Sequence, residues 1–249
     1  MKLNFLVAPD FPPERFAGWH MLNTVLQKRS GLQLHLMTPA NSVEQAALLD
    51  SGSVDLIYAN PFDASDLIRK LRYRALARPV GRSDEMVIAT AESSATRRVE
   101  DLRPGCRIAL TDNRDVKLIG LRLLESADLT DNDVIWVPLD SYQAAARTAM
   151  KGEVDAAFFM AEAYHALSRH TRSQLRIVIE SALDDITHVV LAHPRIADET
   201  ATISAALTSL GASEADQEVL QALGVAGGFE AMLEEDVEFM IDLMDTLLD

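Results

Sequence analysis

Apolar positions along this chain occur in two patterns, as short continuous runs and as longer stretches with helical spacing. The runs "KLNFLVA", "LQLHLM" and "VDLIYA" predict buried strands, and "PERFAGWHMLNTVLQKRS" and "SVEQAALLD" between them predict helices. The same order returns later, where "CRIAL", "DVIWVPL" and "VDAAFF" are separated by "VKLIGLRLLESAD" and "YQAAARTAM". Alternating strands and helices are typical of parallel sheets that are covered by helices.

A short motif occurs once in each half of this pattern, as "GSVDL" at 52–56 and "GEVDA" at 152–156. Each copy follows a predicted helix and begins a predicted strand. The glycine is expected to end the helix in the left-handed conformation. We expect Asp55 and Asp155 to accept hydrogen bonds from nearby amides and so fix the turn. Ser42 is the expected N-cap of the first of these helices.

The two copies of the strand and helix order predict two α/β lobes. The segment "LARPVGRSDEMVIAT" leaves the first lobe near 78–84, and "VIESALDDITHVVLAHP" returns to it near 182–190. Lobe one is therefore expected to contain 1–79 plus 188–249, and lobe two 80–187. Each lobe should be a mainly parallel sheet flanked by helices. The crossing strands should form a hinge, with the ligand crevice between the lobes.

Composition narrows the classes of partner. The 249 residues carry a formal net charge of −15, which argues against nucleic acid as a partner. No stretch reaches the roughly 18 apolar residues of a membrane span, so no membrane insertion is expected. The opening "MKLNFLVAPDFPP" resembles a strand more than a signal peptide. The chain as written is expected to be cytoplasmic, and periplasmic if an export signal was trimmed. The single cysteine, Cys106, is expected to be a buried packing residue.

Several stretches carry a family resemblance: "NFLVAPDFPPERF", "LLDSGSVDLIYANPF", "VEDLRPGCRIALTD", "KGEVDAAFF", and "GVAGGF" followed by an acidic helix. In these the chain resembles the phosphate/phosphite/phosphonate type of ABC-transporter substrate-binding protein, which has the type 2 periplasmic-binding-protein fold. The resemblance implies a two-lobe clamp that binds a small oxyanion and delivers it to a transporter permease. It implies no cofactor and no catalysis.

The loop "TDNRDVKLIG" departs from that family. Members carry a hydroxyl-rich run at a helix N-terminus in this loop, whose hydroxyls and free amides donate to the anion. Here Asp115, Val116 and Lys117 stand at the matching positions. A carboxylate opposes an oxyanion and valine donates nothing, so phosphate, phosphite and simple phosphonates are expected to bind weakly.

The candidate ligand-binding residues are Asp10, Phe11, Asn60 and Phe62 in lobe one, Asn113, Arg114, Asp115, Lys117 and Tyr142 in lobe two, and Asp184 at the second crossover. Alternatives stay open for several of them. Asn60 either reaches a ligand or caps the turn before Pro61. Arg114 and Lys117 either supply positive charge or are solvated. Asp10 either contacts the ligand or makes a turn. Such a mixed set fits a small zwitterionic or polar metabolite better than a bare oxyanion.

Four functions remain compatible with the sequence. The first is a non-catalytic protein that binds a phosphonate-like, oxyanion-like or polar metabolite at an altered site, as a cytoplasmic sensor or accessory protein with a regulatory partner. The second is the solute-binding component of a phosphonate-type ABC transporter, lacking its signal peptide and docking on a permease. The third is a lyase-type enzyme on the same fold, with Asp10, Asp115 and Tyr142 as candidate acids or bases. The fourth is an interaction module without a ligand.

Overall fold

The computed structural model describes residues 2–11, 13–82, 84–182 and 186–248, which form two compact units. The strands of the first unit are β1 (Lys2–Val7), β2 (Gln33–Met37), β3 (Leu56–Ala59), β4 (Arg74–Pro79), β10 (Val189–Ala192) and β11 (Phe229–Ala231). Its helices are α1 (Phe16–Ser30), α2 (Ser42–Asp50), α3 (Pro61–Leu71), α8 (Thr200–Thr208), α9 (Glu214–Leu223) and α10 (Glu234–Leu248). The first unit includes α10 as far as Thr246.

The second unit has its own sheet and helices. Its strands are β5 (Met86–Ala91), β6 (Cys106–Leu110), β7 (Val134–Pro138), β8 (Ala156–Met160) and β9 (Leu175–Glu180). Its helices are α4 (Arg114–Leu124), α5 (Tyr142–Met150), α6 (Ala161–Ala166) and α7 (Arg169–Ser173). The boundaries expected at 79/80 and 187/188 stay a prediction.

The predicted α/β fold class is confirmed, and both sheets are mixed rather than mainly parallel. The strand order is β11-β4-β10-β3-β1-β2 in the first unit and β7-β6-β8-β5-β9 in the second. Strand β1 pairs in parallel with β2 and β3, whereas β10 runs antiparallel to β3 and β4. In the second unit β6 is parallel to β7 and β8, and β5 is antiparallel to β8 and β9. Strands β10 and β5 each enter the middle of a sheet from its carboxyl edge, so they run against their neighbours.

The repeated motif has the expected geometry in both units. Gly52 and Gly152 have φ values of 65° and 69°, in the left-handed region that favours glycine. Asp55 accepts a hydrogen bond from the backbone N–H of Asn4 at 2.7 Å. Asp155 accepts one from the backbone of β6 at 2.7 Å. Each aspartate therefore ties the start of its strand to the neighbouring parallel strand, which confirms the structural role predicted for both.

Helix α2 differs from its prediction at its N-cap. The Asn41 side chain accepts a hydrogen bond from the backbone N–H of Glu44 at 2.9 Å, so Asn41, and not Ser42, is the N-cap. Val43 is 78% exposed. The residue that α2 buries is Gln45. Leu48 and Leu49 are partly buried and pack against an apolar cluster of the unit, so α2 contacts the unit through these leucines and through Gln45.

The first-unit sheet has an apolar core on each face. Phe5 lies in one core cluster together with residues of α1, α8 and α9, and Leu6 lies in another. The second cluster includes Met240 of α10, so this helix packs on the first unit. In the second unit Cys106 is buried, and burial raises the pKa of its thiol. Cys106 is therefore a protonated packing residue, as predicted.

Helix α1 approaches α9 closely at Gly18. A Cβ atom at this position would lie 2.7 Å from the carbonyl carbon and oxygen of Ala222 and 2.8 Å from the backbone nitrogen of Leu223. We expect Gly18→Ala to lower the free energy of unfolding by about 1–3 kcal/mol, because neither backbone can move aside as a side chain can. Urea unfolding measures this, with Ala17→Ser at the exposed neighbouring position as the control. A Gly18→Ala protein as stable as its parent would contradict the close approach.

Candidate functional site

Polar side chains from three strands meet at the carboxyl edge of the first-unit sheet. Asp10 follows β1, Asn60 follows β3, and His188 precedes β10. Because β10 runs antiparallel to β3, with Val189 opposite Ala59, its first residues lie at the carboxyl end of β3. Open α/β sheets bind their ligands at this edge. The structure thus brings together two residues predicted from the sequence and adds His188, which sequence reasoning missed.

Asp10 is the centre of this cluster. Its Oδ2 accepts a hydrogen bond from Asn60 Nδ2 at 3.3 Å, and its Oδ1 lies 3.1 Å from His188 Nε2. The side chains of Asp10 and His188 are each 9% exposed. An ionised carboxylate only accepts hydrogen bonds, so His188 carries a hydrogen on Nε2 in this pair.

The carboxyl group of Asp10 is held in its ionised form. Burial by itself raises the pKa of Asp10, but the positive charge and hydrogen bond of His188 and the hydrogen bond from Asn60 outweigh it. The net pKa therefore lies below the ordinary value for an aspartate. The first unit consequently holds a nearly buried negative charge at the edge where ligands bind to such sheets.

The amide of Asn60 is fully used by its neighbours. Its Oδ1 accepts a hydrogen bond from the backbone N–H of Asp63 at 2.8 Å, which makes Asn60 the N-cap of α3. Its Nδ2 donates to Asp10 and, at 3.1 Å, to Asp63 Oδ2. An amide has two N–H hydrogens, and both have acceptors here. The capping alternative therefore describes Asn60, which holds Asp10 in place and has no further hydrogen to donate.

Aromatic rings lie beneath the cluster. His188 stacks on Tyr58 with 5.0 Å between ring centres and 21° between planes. The ring centre of Tyr58 lies 4.6 Å from that of Trp19, and the ring centre of Phe11 lies 6.0 Å from that of the same indole. Phe11 thus supports the cluster from the core side. Phe62 is 2% exposed and packs within the first unit, and its role as a ligand residue stays a prediction.

In the second unit, the predicted loop residues form the start of α4. Asn113 is its N-cap, because its Oδ1 accepts a hydrogen bond from the backbone N–H of Val116 at 3.0 Å. Arg114 is exposed, whereas Asp115 is 4% exposed within the first turn. The first turn of a helix favours negative charge. The chain's own carboxylate therefore occupies the kind of position that a bound anion takes at a helix N-terminus.

Lys117 is directed to neighbours within the second unit. Its Nζ lies 2.8 Å from Asp131 Oδ1 and 4.7 Å from the ring centre of Trp136. The hydrogen bond from Lys117 holds the pKa of Asp131 below its ordinary value. This ammonium group already has a carboxylate and an aromatic face as neighbours, and the ligand role of Lys117 stays a prediction. Tyr142 is the first residue of α5. The centre of its ring lies 6.1 Å from the centre of the Phe159 ring.

Other predictions concern residues or features outside these clusters. Asp184 lies outside the described residues. Among the residues that the structure describes, no three His, Cys, Asp or Glu side chains group so that they could hold a metal ion. Within the same ranges, no helix is both long and apolar enough to cross a membrane.

The ionisation of Asp10 predicts a pH dependence of stability. Its pKa is lower in the folded protein, so its contribution is fully present above the unfolded pKa of about 4 and is lost as the pH falls through the lower, folded pKa. We expect Asp10→Asn to flatten the dependence of the free energy of unfolding on pH below about pH 4. Urea unfolding over a pH series measures this. Glu218→Gln makes the same charge change at an exposed site, and equal slopes in the two variants would exclude the proposed role of Asp10.

Solved structures share this fold. PhnD1 from Prochlorococcus marinus, in complex with methylphosphonate, matches with a TM-score of 0.81 at 12% identity, over 99% of this chain and 98% of that one. A binding protein component of an ABC phosphonate transporter from Pseudomonas aeruginosa matches with a TM-score of 0.77 at 14% identity, over 100% and 89%. A Xanthomonas citri protein bound to ATP matches with a TM-score of 0.79 at 14% identity, over 100% and 98%. These likenesses show the fold of two-lobe periplasmic binding proteins.

The sequence itself identifies the family. The family model for periplasmic substrate-binding proteins of phosphonate ABC transporters matches residues 5–237. The chain therefore belongs to this family, and the resemblance seen in the sequence is confirmed. A search of curated protein sequences finds no match. The family consists of substrate-binding proteins rather than enzymes, and it is a periplasmic family.

Proposed function

We propose that this protein is the solute-binding component of an ABC transporter, which the sequence left as an alternative to a cytoplasmic sensor. The match to the phosphonate-binding family over residues 5–237 supports this choice. The observation that carries it is the Asp10–His188 pair, nearly buried at the carboxyl edge of the first-unit sheet. A buried carboxylate is a poor source of stability even when it is hydrogen-bonded, because its desolvation offsets the attraction of its partners. A role in binding the solute would explain why the Asp10–His188 pair lies at the edge of the sheet where ligands bind.

The ligand that best fits these residues carries a cationic group as well as an anionic one. Asp10 is ionised, and the amide hydrogens of Asn60 are already donated to Asp10 and Asp63. A bare oxyanion would be repelled by the Asp10 carboxylate, whereas an ammonium group would donate hydrogen bonds to it. We therefore propose a small zwitterion, of the aminoalkylphosphonate class, as the solute.

This ligand class predicts a rank order of affinities. We expect an aminoalkylphosphonate to bind at least about a hundredfold more tightly than phosphate, phosphite or methylphosphonate, because its ammonium group donates charge-assisted hydrogen bonds to the ionised Asp10 carboxylate, which repels a bare oxyanion. Isothermal titration calorimetry of the four compounds at one pH and salt concentration measures the order. Micromolar binding of a bare oxyanion, with no gain from the amino group, would contradict the zwitterionic ligand.

A substitution of the central carboxylate tests the binding residues themselves. We expect Asp10→Asn to weaken binding of the aminoalkylphosphonate by about 10–100-fold, because a hydrogen bond to a charged group contributes about 1.5–3 kcal/mol. Asp55→Asn is the matched control. Asp55 is a buried aspartate before β3, where it accepts hydrogen bonds from Asn4 and Arg195. Asp55→Asn should lose stability and keep its affinity, and an equal loss of affinity in both variants would exclude a direct role of Asp10.

A further inference from the structure

Gln45 is an unusual anchor for a surface helix. It is 5% exposed and is the buried residue of α2, whereas apolar Val43 on the same helix faces solvent. Its Nε2 donates to Asp63 Oδ2 at 2.7 Å, and its Oε1 is buried with no hydrogen-bond partner. Burying an amide with an unpaired oxygen costs free energy that an apolar residue would not cost. The hydrogen bond to Asp63 is therefore the feature to be explained.

The second unit shows that the architecture does not require glutamine here. Helices α2 and α5 have the same length of 9 residues, and each precedes one copy of the repeated glycine motif. Their N-caps are Asn41 and Ser141, so Gln45 and Ala145 occupy equivalent positions. Ala145 is fully buried in the apolar core of the second unit. A small apolar residue can thus pack the equivalent helix, so Gln45 is expected to have a role in the first unit other than packing.

The hydrogen bond of Gln45 leads directly to the Asp10 cluster. Asp63 Oδ2 accepts from both Gln45 Nε2 and Asn60 Nδ2. Asn60 Nδ2 in turn donates to Asp10, whose other oxygen faces His188. Gln45 and the cluster are therefore joined by consecutive hydrogen bonds, although Gln45 touches neither Asp10 nor His188 in these bonds.

The Asn60 amide donates to two carboxylates, and Gln45 acts on one of them. Asp63 holds this amide at 3.1 Å and Asp10 holds it at 3.3 Å. A donor from Gln45 to the same Asp63 oxygen satisfies part of that carboxylate's demand and fixes its plane. Without this donor, the Asp63 carboxylate could rotate, the Asn60 amide bonded to it would turn with it, and the hydrogen bond from Asn60 to Asp10 would be lost.

We infer that Gln45 is a positioning residue, which acts through Asp63 to hold the Asn60 amide on Asp10 and thereby orients the Asp10 carboxylate against His188. Its effect on ligand affinity rests on the proposed function. The hydrogen-bond relay itself does not depend on any ligand, so the two can be tested separately.

The first test follows the titration of the Asp10 carboxyl group by carbon-detected NMR, without ligand. Gln45→Met keeps the approximate volume of the side chain and removes the donor. Asn23→Leu is the matched control, because Asn23 is another buried amide of the first unit, donates to the Leu34 carbonyl and has a buried Oδ1 with no hydrogen-bond partner. We expect the pKa of Asp10 to rise in Gln45→Met and to stay unchanged in Asn23→Leu. An unchanged titration in Gln45→Met would overturn the inference.

Gln45→Glu gives a second variant with a readout that a purely structural role would not produce. The introduced carboxyl repels Asp63 when it is ionised and donates a hydrogen bond to it when protonated. We expect the cross-relaxation contacts between the Asn60 amide and Asp10 to be lost at neutral pH and restored as the introduced group protonates. Contacts that remain at every pH, in a folded protein, would overturn the relay.

The second test adds the aminoalkylphosphonate. We expect Gln45→Met to weaken its binding by about 3–10-fold, as for the loss of one oriented hydrogen bond, with no change in Asn23→Leu. If the parent does not bind this compound while the Asp10 titration still moves in Gln45→Met, the proposed ligand is wrong and the relay stands. If the parent binds the compound, and Gln45→Met changes neither the pKa of Asp10 nor the affinity for the compound, the relay is wrong and the proposed function stands.

Discussion

A nearly buried carboxylate at Asp10 is the constraint on which the rest of the candidate site depends. A negative charge taken out of water must be met by donors, or it will take up a proton. The donors here come from residues 50 and 178 positions away in the chain, Asn60 and His188. They reach Asp10 because β3 pairs with β1 on one side and with β10 on the other. The pairing of strands in the mixed sheet therefore brings Asp10, Asn60 and His188 together.

The two units use one architecture in two ways. In both, an asparagine follows a strand and caps a helix, and an aspartate lies in the first turn of that helix: Asn60 with Asp63, and Asn113 with Asp115. In the first unit the capping asparagine also donates to a second carboxylate, whereas the equivalent cluster is not seen among the described residues of the second unit. The anchors of α2 and α5 diverge in the same way, with a glutamine in one and an alanine in the other.

Membership of a phosphonate-binding family and a site rich in carboxylates are compatible on physical grounds. The fold supplies helix N-termini that favour negative charge, and this chain places its own Asp63 and Asp115 in such first turns. Under the proposed function, such internal charges leave less favourable potential for a bare anion and favour a ligand that brings a positive group. The formal net charge of −15 acts in the same direction.

Much of the fold was readable from local pattern. The order of strands and helices, the glycines that end α2 and α5, and the hydrogen bonds of Asp55 and Asp155 all follow from burial and turn chemistry within short stretches. The family resemblance was equally visible, because it rests on stretches spread over nearly the whole chain. Periodicity states which residues are buried and leaves open which way a strand runs. Alternation therefore predicted mainly parallel sheets, and only the tertiary structure placed β5 and β10 against their neighbours.

The candidate site was decided largely by tertiary structure. Asp10 and Asn60 were found from their places after buried strands. His188 was missed, although a histidine directly before the apolar run "VVLA" is a signal that a polar group begins a buried strand. Gln45 drew no prediction from the sequence, and Lys117 was left open between a positive charge for the ligand and a solvated side chain. Their partners, Asp63 and Asp131, depend on how helices and strands pack. Local sequence determines which side chains are available, whereas strand register and helix packing determine which of them share a hydrogen bond.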